Sequence, residues 1–206
     1  MRSSSSVAYA YLARTRLGIR RYLDTTDESA RRLRRQWVRR TAAVALVLMV
    51  LFGAATLRVL VFPKVDKPQR ADAIFMLGGA GDRLDRALSL ARAGYAPVLV
   101  ISRDNIRTCP PQSAAPRVKI ICFRPDPFTT RGEAREAGLL AQKYGWQKMI
   151  FVTDRSQDTR ARLRIHRCYH GETLVSAVNV PAHEWLYLIA YQWPALAKAL
   201  IWQRGC

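Results

Sequence analysis

Common catalytic side chains are scarce in this chain. It has three histidines, His166, His170 and His183. None stands where a strand would end, and no Ser-His-Asp arrangement can be assembled, which sets aside the serine-hydrolase mechanism. His166 and His170 are four residues apart, a spacing that can hold a metal on a helix, but no carboxylate motif accompanies them and no metal is expected. The four cysteines, at 109, 122, 168 and 206, include no C-x-x-C pair, which argues against a metal site. There is no internal repeat. Acidic residues are few as well, 15 against 34 Lys and Arg, for a net charge of +19. Such a balance calls for an anionic partner: nucleic acid, a membrane surface or a phosphorylated substrate.

What is present is unevenly spread. Residues 1–40 hold 11 Arg against Asp24, Asp27 and Glu28, and end in the polybasic run RRLRRQWVRR. This arm is expected to be mostly disordered, with some helix from about Glu28 toward the membrane. Its basic end suits anionic lipid headgroups, at about 1 kcal/mol per basic residue near the surface. Residues 41–62 follow, TAAVALVLMVLFGAATLRVLVF, with 17 residues before the first charge, Arg58. As a helix the segment spans about 33 Å, enough for the ~30 Å hydrocarbon core, with Arg58 able to snorkel outward. The rival reading is a cleaved signal peptide, with Gly53-Ala54-Ala55 as the cleavage site. The arm's charge places the N-terminus in the cytoplasm and the rest outside. On this reading the basic arm is explained by the membrane, and no nucleic-acid partner is expected. Residues 63–70, bracketed by Pro63 and Pro68, read as a short linker.

Residues 71–206 alternate strand-like and helix-like patterns. Strands are expected at 73–77, 98–102, 118–122, 149–153 and 173–178, and helices at 82–93, 130–144, 156–169 and 182–203, the last broken near Pro194. Short, continuously apolar strands with helices between them describe a mostly parallel sheet covered on both faces, a three-layer α/β domain. In an exported domain an even cysteine count suggests disulfides. Cys109 and Cys122 bracket a Pro-rich loop and are the expected pair; Cys168 with Cys206 is a weaker second. The apolar residues of 184–203 recur at helical spacing, as in a helix packed on the sheet. The sharper alternative is a helix lying on the membrane surface.

The organising stretch is ADAIFMLGGAGDRLDR, residues 71–86: strand, glycine turn, helix. It matches neither the dinucleotide fingerprint nor the phosphate loop, whose Lys it lacks. Still, such a turn sits where open α/β sheets bind ligands, and helix starts favour anions. The other strand ends are polar: Ser102-Arg103-Asp104, then PDPFTTRGEAREA, then Thr153-Asp154-Arg155-Ser156-Gln157 and onward to Arg160. Thr129 or Thr130 would cap the following helix, and Glu133 stands at capping-box spacing from Thr130. Arg164 and Arg167 share a helical face with Arg160 and read as solvated. The candidate ligand-binding residues are Gly78, Gly79, Asp82, Arg83, Ser102, Arg103, Thr130, Arg131, Thr153, Gln157 and Arg160. Glu133 and Asp154 are the acid/base candidates.

Several of these segments resemble the YdcF-like, SanA/ElyC-type domain family. The likeness runs through AIFMLGGAGDRLDRALSLARAGYAPVLVISR, TTRGEAREAGLLAQKYGWQKMIFVTD and the Arg160-Ala161-Arg162 step, covering most of residues 70–180. It implies a Rossmann-like fold and an inner-membrane protein of envelope and peptidoglycan-related processes. The family commonly has a His where this chain has Gln157, which implies binding without catalysis or a different chemistry. The combined expectation is a single-pass membrane protein whose extracytoplasmic domain binds or processes a phosphorylated, nucleotide-like or lipid-linked envelope intermediate. The alternative is a non-catalytic scaffold or sensor. Its partners would be the membrane and an anionic small molecule or lipid-linked intermediate; no cofactor is identified.

Overall fold

The structure, a computed structural model, describes residues 5–79 and 81–206, with side chains from residue 31 onward. It divides into two compact units, Met1–Ala54 and Ala55–Cys206.

The first unit is helical. Helix α1 runs over Ser5–Thr56 and is followed by a π-helical turn, Leu57–Val61. The expected disordered arm is therefore helical from Ser5; residues 1–4 lie outside the described residues. The reason is compositional. Ala, Leu and Arg are good helix formers, and no proline precedes Pro63. Among the described residues one helix is long and apolar enough to cross a membrane, Arg31–Val61.

The second unit is an α/β domain. Its strands are β1 (Ala73–Met76), β2 (Val98–Ser102), β3 (Lys119–Phe123), β4 (Lys148–Asp154) and β5 (Glu172–Val178). They form one all-parallel sheet in the order β3-β2-β1-β4-β5. Helices α2 (Arg83–Arg92), α3 (Thr130–Tyr144) and α4 (Asp158–Cys168) make the crossovers, and α5 (Trp185–Ile201) closes the chain. This is the three-layer, Rossmann-like α/β fold expected from the pattern of short apolar strands.

Strand alternation sorts the core into two layers. Phe75, Val100, Met149 and Phe151 face α3 and α4, meeting Ala134, Ala137, Ala161 and Ile165. Ile74, Leu99, Ile101 and Ile150 face α2, meeting Ala87, Leu90 and Ala91. Truncating one of the fully buried aromatics, Phe75 or Phe151, to alanine costs about 3–5 kcal/mol by transfer and cavity terms. The small residues on α3 let it approach α4 closely. A Cβ at Gly138 would stand 2.3 Å from the Cys168 carbonyl oxygen, which is backbone and cannot swing away. Gly138→Ala is therefore expected to lower stability by about 1–3 kcal/mol, read as a shifted urea midpoint with an unchanged slope.

Two expectations change here, both on α5. The linker, for its part, is anchored to the sheet. Asp66 donates its N–H to the Val175 carbonyl (3.2 Å), accepts from the Val175 N–H (2.9 Å) and pairs with Arg162 (2.8 Å), stitching residue 66 to β5. Helix α5 is not broken at Pro194, which lies inside it. Nor does α5 pack on the sheet: it lies against α4, burying Gln192, Leu196 and Ala199. Both cysteine pairs are disulfides, Cys109–Cys122 and Cys168–Cys206. The first ties the loop after β2 to β3.

Candidate functional site

In the observed strand order the winding reverses between β1 and β4, and open sheets of this kind place ligands beyond the strand ends at that point. A cleft of ≈ 670 Å³ opens there. Its walls come from the ends of β1, β2 and β4, the N-termini of α3 and α4, and one side of α5.

The glycine turn follows β1. Gly78 donates its N–H to Glu133 Oε1 (2.5 Å), and its carbonyl accepts from Arg83. The expected role for that N–H, cradling an anion directly, is thus taken by a protein carboxylate. Gly79 has φ +130°, and a Cβ there would lie 2.5 Å from Arg83 Nη1. Only glycine fits, because the Arg83 guanidinium lies across the turn. Ala80 lies outside the described residues.

Arg83 is buried and bridges the turn to β4 through an ion pair with Asp154. Asp154 uses Oδ2 for Arg83 and Oδ1 for the Ser156 hydroxyl (2.6 Å) and the Gln157 N–H (2.9 Å). Both oxygens of this acid/base candidate are committed to holding other groups.

Helix α3 starts one residue earlier than the capping-box reading requires. Thr129 is the N-cap and accepts from Gly132 N (3.4 Å). The box position would then be Gly132, so Glu133 and Thr130 are both released for the cleft. Thr130 Oγ1 accepts from Gln157 Nε2 (2.9 Å) and Arg160 Nη1 (2.9 Å). Arg160 also donates Nε to Gln192 Oε1 (3.0 Å) and lies 5.9 Å from the Tyr191 ring centre. Burial lowers its pKa below the ordinary arginine value, against the opposing pull of Tyr191, Glu133 and Asp154. It remains a cation.

Glu133 is 4 % exposed. Burial raises its pKa above the usual carboxylate value; the Ser102 hydroxyl, the Gly78 N–H, Arg83 and Arg160 pull the other way. Ser102 stands beside that carboxyl outside hydrogen-bond geometry, and its buried hydroxyl has no partner. Of the carboxyls on this wall, Glu133 is the one whose pKa burial pushes upward.

Arg103 and Arg131 also line the cleft. Arg103 leaves a buried Nε without a partner. Arg131 is held, through Nε (3.0 Å) and Nη2 (2.8 Å), by the Cys206 carbonyl oxygen. Two sequence candidates fall outside. Asp82 is exposed at the start of α2, and Thr153 is wholly buried in β4, off the cleft wall. Strand alternation explains the second: if Asp154 faces the cleft, its neighbour faces away. The sequence reading also missed the α5 side, where Tyr187, Tyr191, Gln192 and Lys198 complete the wall. The i,i+4 pair of tyrosines was its only signal. Arg164 and Arg167 are not solvated either. They bond the Gln203 carbonyl (2.6 and 2.7 Å), clamping the end of α5 to α4, and Arg164 reaches the cleft.

Fold and cleft together define a Rossmann-like α/β domain with a cation-rich crevice at its switch point, following a helix apolar enough to cross a membrane. No family model matches the chain, and no curated protein matches it. Among solved structures it is similar to a formyltetrahydrofolate deformylase from Pseudomonas putida KT2440, at 18% identity and a TM-score of 0.28. The match covers 42% of this chain and 31% of that one, so the chain spans about a third of that protein's length.

Proposed function

We propose that the domain binds a phosphorylated or nucleotide-like anion in the switch-point cleft, on the outer side of a cell membrane. The observation that carries this is the charge on the walls. Arg83, Arg103, Arg131, Arg160, Arg164 and Lys198 face three carboxylates, Asp104, Glu133 and Asp154, and Asp154 is already paired with Arg83. The surplus positive charge in a partly enclosed cleft focuses on an anion. The partnerless Ser102 hydroxyl and Arg103 Nε supply further donors there.

Two disulfides among the described residues suit an oxidising compartment, and the Arg-rich arm resists translocation, so both favour an extracytoplasmic domain. Together with the resemblance to YdcF-like and SanA/ElyC-type domains, this reading assigns the protein to cell-envelope biogenesis, on a peptidoglycan- or lipid-carrier-related intermediate. If the ligand is processed, Glu133 handles the proton. The sensor reading draws on Gln157, a non-titrating amide at the centre of the cleft's hydrogen bonds, and on the full commitment of Asp154.

Calorimetric titration of the detergent-solubilised full chain with sodium sulfate tests the anion site; saturable binding is expected, and its absence for sulfate, phosphate and pyrophosphate alike removes the reading. Topology is checked separately with C-terminal fusions. An active phosphatase and a dark cytoplasmic fluorescent protein are expected, and the opposite pair overturns the orientation.

A further inference from the structure

Helix α5 has two faces. One packs on α4 through Gln192, Leu196 and Ala199. The other is apolar, aromatic and exposed: Leu186 (83 % exposed), Tyr187, Tyr191, Leu200 and Ile201, continued by Trp202 (76 % exposed) just past the end of the helix. Lys198 is the charged residue on that face of the helix. A soluble surface helix alternates polar residues on its outward side, and contiguous apolar exposure marks a binding surface.

The chain also says what lies next to this face. The last residues of the membrane-compatible helix Arg31–Val61 belong to the α/β unit and are fixed to it. Trp193 Nε1 donates to Thr56 Oγ1 (3.1 Å), Thr159 Oγ1 donates to the Val59 carbonyl (2.6 Å), and Leu60 is 2 % exposed. Asp66 then stitches the chain to β5. Residues 56–66 of the chain are thus tied to α5, α4 and β5 within the α/β unit. By helical periodicity Trp193 lies toward one margin of the exposed face and Tyr191 toward the other, with Tyr187 between them. The composition suits the headgroup layer, where Trp and Tyr rings sit at the polar boundary and a Lys reaches into water.

We propose that the outward face of α5 lies in the lipid interface, as a second, monotopic membrane contact of the chain. Tyr187 and Tyr191 line the cleft as well, so this contact holds the cleft mouth at headgroup level. The proposal does not depend on what the cleft binds.

The test uses the full chain reconstituted in vesicles of dioleoyl phosphatidylcholine and phosphatidylglycerol, with and without lipid brominated near the acyl-chain carbonyl. The signal of Trp202 is isolated as the fluorescence lost in Trp202→Phe, a mild change at an exposed site. The expected result is that brominated lipid quenches this component about twofold or more, and that vesicles shield it from aqueous acrylamide. Full acrylamide access with no bromine quenching overturns the proposal. So does shielding that grows with protein-to-lipid ratio without bromine quenching, which assigns the face to a second copy of the chain. Either result leaves sulfate binding in the cleft untouched.

Discussion

Arg83→Ala is expected to destabilise the domain by about 3–5 kcal/mol, the cost of leaving a buried partner charge alone. The side chains of Arg83 and Asp154 are 5 % and 11 % exposed, and the guanidinium also holds the Gly78 carbonyl. Its loss strands Asp154 and frees the turn that carries Gly79 above it. For a unit of this size the melting temperature should fall by roughly 6–20 °C. Circular dichroism melts of the full chain in detergent measure it. Arg83→Met combined with Asp154→Leu should regain most of the loss, since replacing both charges removes the stranded one. An unchanged melt in Arg83→Ala would show that the pair is not a structural strut, and would return Arg83 to the role of a ligand contact.

Arg160→Ala is expected to weaken sulfate binding roughly tenfold or more, because one charge-assisted hydrogen bond contributes about 1.5–3 kcal/mol. Arg160 differs from Arg83 in making no carboxylate ion pair among the described residues; its hydrogen bonds go to neutral oxygens of Thr130 and Gln192. Its charge is therefore available to a ligand. Glu133 sets the pH dependence. Its pKa is raised by burial, so as pH falls through it the cleft loses a negative charge. Sulfate keeps its own charge over that range, and its affinity should rise as pH falls. Glu133→Gln should bind as tightly as the wild type at low pH and lose the dependence. Linkage gives a second reading of the same group. A carboxyl whose folded pKa lies above its unfolded value binds more protons when folded, so stability falls as pH rises from about 4.5 through the folded pKa. Glu133→Gln should remove its share of that slope and leave the part due to Asp158, which burial raises to about 6. Equal sulfate affinity in wild type and Arg160→Ala, with the fold intact, would place the anion elsewhere.

The elements and their order could be read from the chain. Apolar strands of four to seven residues, helix spacing between them and the glycine turn at 78–79 are local signals, and they put β1 through β5 within a residue or two of where they lie. The Cys109–Cys122 bond was legible for the same reason, since both ends bracket one loop. What the chain could not reveal was the partner of each charge. Sequence places Arg83, Arg160 and Arg164 alike on helix starts and faces. The fold spends Arg83 on Asp154, 71 residues away, ties Arg164 to the end of α5, and leaves Arg160 with neutral partners. Glu133 could be read both as a capping residue and as an acid/base candidate, and the choice of Thr129 over Thr130 as the cap left it on the cleft wall. Local pattern follows from hydrophobic periodicity and backbone chemistry, which act within a few residues. The fate of a charge depends on which distant group lies within about 3 Å of it once the sheet has closed, and no local pattern carries that distance.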